Sequence, residues 1–141
     1  MVYEGAVVIF HKTEGAEPRF LVVENTKTGN VSFMAGAKED TDTSLEATAE
    51  REIQEELGLT KEQYVLTPTL ISYEFVFGPQ KPERAGAQAQ YHVFLASMIG
   101  NDAIFHTQEL KSAKWMTASE TLSALSFPDL RAVFEKIREL I

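Results

Sequence analysis

The chain has 141 residues and 44% apolar content, with no cysteine and a formal net charge of −8. That size and composition describe one globular domain with room for a sizeable core, and no apolar run approaches the length that spans a bilayer. The acidic balance excludes broad binding to nucleic acid or to anionic membrane, both of which need a basic face, and the missing thiols exclude a disulfide framework, a thiolate metal site and a thiol nucleophile.

The opening residues Met1-Val2-Tyr3-Glu4-Gly5 carry no basic segment, so the apolar run that follows reads as a strand and not a leader, and a cytoplasmic location is the default expectation. Tyr3 to Phe10 and Arg19 to Glu24 are β-rich runs divided by a polar stretch, a first pair of strands. Asn25 to Asn30 reads as a turn, Val31 to Met34 as a short apolar piece, and Ala35 to Asp42, small and polar, as a loop. Asn30-Val31-Ser32 matches a glycosylation sequon by pattern alone and is discounted without a secretory signal.

A helix follows. Thr43-Ser44-Leu45-Glu46 fits a capping box with Thr43 and Glu46 as its reciprocal partners, Gly58 marks the end, and Leu45, Ala49, Ile53 and Leu57 form a buried stripe at four-residue steps. Within it, Glu52, Glu55 and Glu56 stand at i, i+3 and i+4 on one side of the helix. Three crowded carboxylates repel one another unless solvent or a cation intervenes, and hard divalent cations such as Mg²⁺ and Mn²⁺ take such oxygen ligands together with water and substrate phosphates. A solvated acidic face is the plain alternative. The first reading points to phosphate chemistry, and it agrees with the net charge, because an acidic protein holds a polyphosphate only if a metal carries part of the binding.

Tyr64 to Phe77 and Tyr91 to Ile99 read as further strands, joined by the long Gly/Pro connection from Gly78 to Gln90. Lys81 and Arg84 within that connection either reach a substrate phosphate or serve solubility. Tyr73, Phe75 and Phe77 alternate along the strand, so that one side of the aromatic set faces the core while another is free to stack on a nucleobase. Lys111 to Met116 makes one more short strand, Thr117 to Glu120 a second capping box, and Pro128 opens the last helix. His106 is as readily a solvated loop histidine as a catalytic one and receives no role. Strands interleaved with helices, at hairpin-like spacing, imply an α/β (α+β) fold with a mixed sheet.

The acidic segment resembles the Nudix box, whose pattern is Gly, five residues, Glu, seven residues, then Arg-Glu-U-x-Glu-Glu-x-Gly-U with U aliphatic. Arg51, Glu52, Ile53, Glu55, Glu56, Gly58 and Leu59 match the second half at every fixed position. The first half departs: Ala37 stands where the family has Gly and Thr43 where it has Glu. Gly36 is the neighbour available to take over the turn that Ala37 resists. The resemblance implies one Nudix domain over residues 1–141 with a box-like segment at 36–59, and an αβα sandwich around a mixed β-sheet. It also implies metal-dependent hydrolysis of a nucleoside polyphosphate with Mg²⁺ or Mn²⁺ on Glu52, Glu55 and Glu56, and Arg51 orienting that cluster. Glu109, ahead of Trp115, is the downstream acid that the resemblance offers as a further ligand or base.

The region from Trp115 to Leu130 is more weakly similar to the small diadenosine polyphosphate hydrolases, so a dinucleoside polyphosphate is the first substrate expected. Lys81 and Arg84 would then meet phosphate, and Phe75 or Phe77 a base. The alternatives are a nucleoside triphosphate pyrophosphohydrolase of the same fold, and a degenerate domain that binds nucleotide or protein without turnover. The resemblance leaves the oligomeric state open.

Overall fold

Strand β1 (Val2–Glu14) organises the structure because both of its faces are buried. Ala6, Val8 and Phe10 point to one side, Val7 and Ile9 to the other, and helices cover each. A computed structural model of the chain describes residues 2–79, 82–99 and 110–141. In chain order the elements are β1, β2 (Glu17–Asn25), β3 (Val31–Ser32), β4 (Met34–Ala37), α1 (Leu45–Leu57), a 3₁₀ turn at Lys61–Gln63, β5 (Tyr64–Val76), β6 (Gln88–Met98), β7 (Leu110–Met116), α2 (Ala118–Ala124) and α3 (Pro128–Arg138).

The main path of the sheet runs β3-β2-β1-β6-β5, with β4 added on β1 and β7 on β2. β1 and β6 run parallel while the other pairs are antiparallel, so the sheet is mixed. Along one edge β1 changes partner: Gly5 to Val8 pair with β4, and His11 to Glu14 pair with β2. α1 packs Ala49, Ile53 and Leu57 on the Ala6–Val8–Phe10 face, and α3 packs Leu130, Val133, Phe134 and Ile137 on the Val7–Ile9 face. The result is the expected αβα sandwich. Phe134 is fully buried and meets the Phe20 ring edge-on at 4.8 Å, where each such side chain contributes about 1.5–3 kcal/mol by leaving water.

Three local expectations give way to the structure. β1 and β2 extend past Phe10 and before Arg19 and meet through a tight hairpin in which Gly15 takes φ 62°, so the polar segment between them is mostly strand. The small residues Ala35 to Ala37, expected to open a loop, continue a strand from Met34, because backbone pairing with β1 needs no large side chain. The cap of α1 is Ser44, whose hydroxyl accepts from the Ala47 amide at 3.1 Å, and Thr43 and Glu46 form no capping box. Ser44 lies in extended backbone and accepts from the third helical amide, which is all that an N-cap requires. Gly58 closes the helix in the left-handed region at φ 71°, Thr117 and Glu120 cap α2 reciprocally, and Pro128 occupies the first turn of α3. Among the described residues no helix is long and apolar enough to cross a membrane.

Candidate active site

The acidic side of α1 rests on β4. Gly36 sits beneath Glu52, and a Cβ added at Gly36 would collide with the Glu52 carboxylate and its Cγ. Gly36 therefore serves a close approach inside a strand and not a turn, and its φ is not positive. Ala37 has ordinary strand backbone, and its carbonyl accepts a hydrogen bond from Arg51 Nη2 at 3.0 Å.

Arg51 links the loop to the helix. Its Nε and Nη2 donate to Asp42 Oδ1 and Oδ2 at 3.0 and 2.9 Å, a two-pronged pair. Its Nη1 faces the other way, to Glu52 Oε1 at 3.0 Å and Glu55 Oε2 at 3.2 Å, with Glu39 Oε1 at 3.5 Å. The hydrogen bonds to Asp42 hold the guanidinium even more firmly protonated than usual. Asp42 in turn accepts from the Glu39 amide and the Thr48 hydroxyl, each at 2.9 Å. The Arg51 hydrogen bonds, followed by that amide, keep the Asp42 carboxyl well below the ordinary carboxylate range.

Glu52 behaves oppositely. Burial pushes its pKa upward, and the Arg51 charge only partly offsets this. The Glu56 carboxyl lies within hydrogen-bond reach of Glu52, so two acids share one small space on the helix side. Glu55 is exposed. These three residues offer oxygen donors only, the set that suits Mg²⁺ or Mn²⁺ and not a nitrogen- or sulfur-seeking ion. Among the described residues no three acidic or histidine side chains already converge on one point, and Arg51 Nη1 bridges Glu52 and Glu55. The donor set fits a hard cation once that nitrogen yields.

Beside the acids opens a cleft of about 980 Å³. Gly36 and Ala37 line it, so the strand that lies beneath the Glu52 side chain and receives Arg51 is also a wall of the cleft. Phe75 lies half-buried across it, stacked on Tyr73 with centroids 5.1 Å apart and edge-on to Tyr91 at 5.0 Å. Phe77 is 8% exposed and belongs mainly to the core, in edge contact with Tyr3. Arg84 spreads its guanidinium over the Tyr3 and Phe77 rings at 4.9 and 5.5 Å. The charge is thereby held at the wall by ring faces.

The structure thus gathers Arg51, Glu52, Glu55 and Glu56 on one side of α1, where Glu52 and Arg51 meet the Gly36–Ala37 wall, and sets Phe75, Phe77 and Arg84 along the cleft. Lys81, His106 and Glu109 lie outside the described residues. Sequence reasoning missed Asp42 as a site residue, since nothing in a run of polar loop residues marks one acid as buried. It also passed over Tyr91, whose spacing in β6 is that of any core aromatic. The Tyr91 ring packs where a Cβ on Gly5 would stand, so two glycines on paired strands shape this corner.

The NUDIX domain family model matches residues 2–137 of the chain. No curated protein matches it by sequence. Among solved structures, a C. elegans Ap4A hydrolase binary complex is similar at a TM-score of 0.82 with 17% identity, covering 99% of this chain and 97% of that one. The E. coli dihydroneopterin triphosphate pyrophosphohydrolase is similar at 0.79 with 19% identity, covering 96% and 97%. The NUDIX domain of Shewanella oneidensis NrtR, complexed with ADP ribose, is similar at 0.76 with 14% identity, covering 99% and 88%. At these identities the likeness shows the fold.

Proposed function

The chain belongs to the Nudix family of hydrolases, and on that footing we propose that it hydrolyses a nucleoside polyphosphate with a divalent cation, a dinucleoside polyphosphate of the diadenosine tetraphosphate type being the favoured substrate. One observation carries this reading: the acidic side of α1 and the aromatic cleft share the wall Gly36–Ala37. A nucleotide lying in the cleft places its base among rings and its phosphates toward carboxylates. The likeness to the C. elegans Ap4A hydrolase supports the dinucleoside choice.

In this reading Glu52, Glu55 and Glu56 hold Mg²⁺ or Mn²⁺, which when bound neutralises phosphate charge and acidifies a water. Arg51 positions Glu52 and Glu55 through Nη1. Arg84, and Lys81 from the same connection, meet the phosphates as fork and point charge. Phe75 offers a half-buried ring face to the base, with Phe77 backing it. One carboxylate of the helix set, or Glu109, takes the proton from the attacking water. The cation is essential on charge grounds: a protein at −8 facing several phosphates repels its own substrate unless that field is neutralised locally.

The similarity to the E. coli triphosphate pyrophosphohydrolase, nearly as high, favours nucleoside triphosphates as the second reading. The test is nucleotide and phosphate release from diadenosine tetraphosphate and a panel of nucleoside triphosphates, with Mg²⁺ or Mn²⁺, for wild type and Glu56→Gln. Turnover that vanishes in the variant supports the metal-dependent hydrolase, and the preferred substrate separates the two readings. Intact nucleotide binding with no turnover on any substrate would leave a binding module instead.

A further inference from the structure

The box departs at position 43, where Thr43 is exposed, yet the buried acid lies next door. The Asp42 side chain is 5% exposed and its two oxygens collect Arg51 Nε, Arg51 Nη2, the Glu39 amide and the Thr48 hydroxyl. A guanidinium is planar, so gripping Nε and Nη2 from behind fixes where Nη1 points. Nη1 then faces Glu52 at 3.0 Å and Glu55 at 3.2 Å, with Glu39 further off at 3.5 Å. Without the grip from Asp42, Arg51 keeps its charge but loses its direction, and it is free to lie across the carboxylates that a cation needs.

We propose that Asp42 is a positioning residue of the site, supplying from one residue earlier the carboxylate that the box has at position 43. The inference rests on the metal-dependent reading above. It makes Thr43 a tolerated position and not a defect. Asp42 acts through Arg51, and the Ala37 carbonyl that shares Nη2 is its backbone partner in the task.

The experiment compares wild type, Asp42→Asn, Thr43→Glu and the double variant. Three quantities are read for each: the Mn²⁺ dissociation constant from the free-ion EPR signal, kcat and KM on the preferred nucleotide, and the melting temperature. Residues that orient metal ligands from behind typically change affinity or activity by about 10–100-fold. Asp42→Asn is expected to lose that much in Mn²⁺ affinity and kcat, with KM little changed. Thr43→Glu alone stays within about two-fold of wild type, and in the Asp42→Asn background it recovers part of the loss. Wild-type Mn²⁺ affinity in a folded Asp42→Asn would overturn the inference, and so would a ten-fold gain from Thr43→Glu alone, because the charge at 43 would then have been missing. If Asp42→Asn does not fold at the assay temperature, the Thr43→Glu result decides. A wild type that neither binds Mn²⁺ nor turns over nucleotide sinks the metal-site reading and this one with it. A wild type that does both, matched by Asp42→Asn, sinks this inference alone.

Discussion

Gly36→Ala is the sharpest perturbation that the structure offers, because all three of the nearest atoms an added Cβ would strike belong to Glu52. Two responses are open. β4 could move away, but Gly36 is in register with Ala6 of β1 and its neighbours are paired on either side, so the strand is pinned. The Glu52 side chain is the softer partner, and rotating it takes Oε1 from Arg51 Nη1, 3.0 Å away. Overpacking of this kind destabilises by about 1–3 kcal/mol, and at this chain length that lowers Tm by roughly 4–12 °C. The displaced carboxylate also weakens Mn²⁺ binding by about 10–100-fold, the usual range when a ligand's support is altered. Gly29→Ala is the control: at φ 72° it strains the backbone by about 1–2 kcal/mol, but a Cβ there meets nothing within 4 Å and touches no site residue. Differential scanning fluorimetry and a Mn²⁺ titration read both variants. Gly36→Ala with wild-type Mn²⁺ affinity would refute the claim that this glycine seats Glu52.

Ser44→Ala should lower stability by about 1 kcal/mol in urea unfolding through loss of the N-cap bond, whereas Thr43→Ala should stay within about 0.5 kcal/mol; equal losses would contradict the observed cap. Asp42 is more acidic folded than unfolded, so its contribution is complete above its ordinary value of 3.8 and is lost as pH falls toward and below the folded pKa. Asp42→Asn should therefore flatten the acid limb of a melting curve measured from pH 7 to pH 2, and a profile parallel to that of wild type would count against the pairing with Arg51. Arg84→Gln should raise KM for nucleotide by about ten-fold, the equivalent of about 1.4 kcal/mol, while kcat changes little; an unchanged KM would return Arg84 to a purely structural stacking role.

How much was legible follows the physics of each signal. The period of the apolar stripe on α1 survives in the structure, since Ala49, Ile53 and Leu57 are buried and Leu45 packs at the margin. A stripe of this kind reflects burial directly, and so it is readable. The sequence shows β1 as shorter than it is because its last residues, His11 to Glu14, are polar and carry no apolar alternation, whereas the buried run Ala6 to Phe10 is plainly β-rich. Most of β4 looks like loop in sequence because Ala35, Gly36 and Ala37 are poor strand formers, yet the missing side chain at Gly36 is what lets Glu52 of α1 lie so close. The cap was misplaced by one residue because Thr43 and Ser44 are both competent, and only backbone geometry chooses between them. Asp42 was invisible for a related reason: Glu39, Asp40 and Asp42 look alike in sequence, and the partner that distinguishes Asp42 stands nine residues away on a helix.

At both departures from the box the structure places a group of matching chemistry at a neighbouring position, Gly36 beside Ala37 and Asp42 beside Thr43. What the loop requires at 37 is a carbonyl for Arg51 Nη2, which any residue supplies, while the need for a missing side chain falls one residue earlier at Gly36. What it requires near 43 is a buried carboxylate against Arg51, and Asp42 provides one whose second oxygen also fastens the loop through Glu39 and the helix through Thr48. Both solutions converge on Arg51, which stands between one acid that favours its ionised form and another that burial disfavours. The arginine is thus anchored on the side of Asp42 and less strongly engaged on the side of Glu52. Under the proposed metal-dependent reading, Glu52 and Glu55 would be freed for a divalent cation by the movement of one nitrogen, Arg51 Nη1, while the Asp42 side of the arginine would keep the loop fastened, as suits a site that must admit and release an ion without unfolding around it.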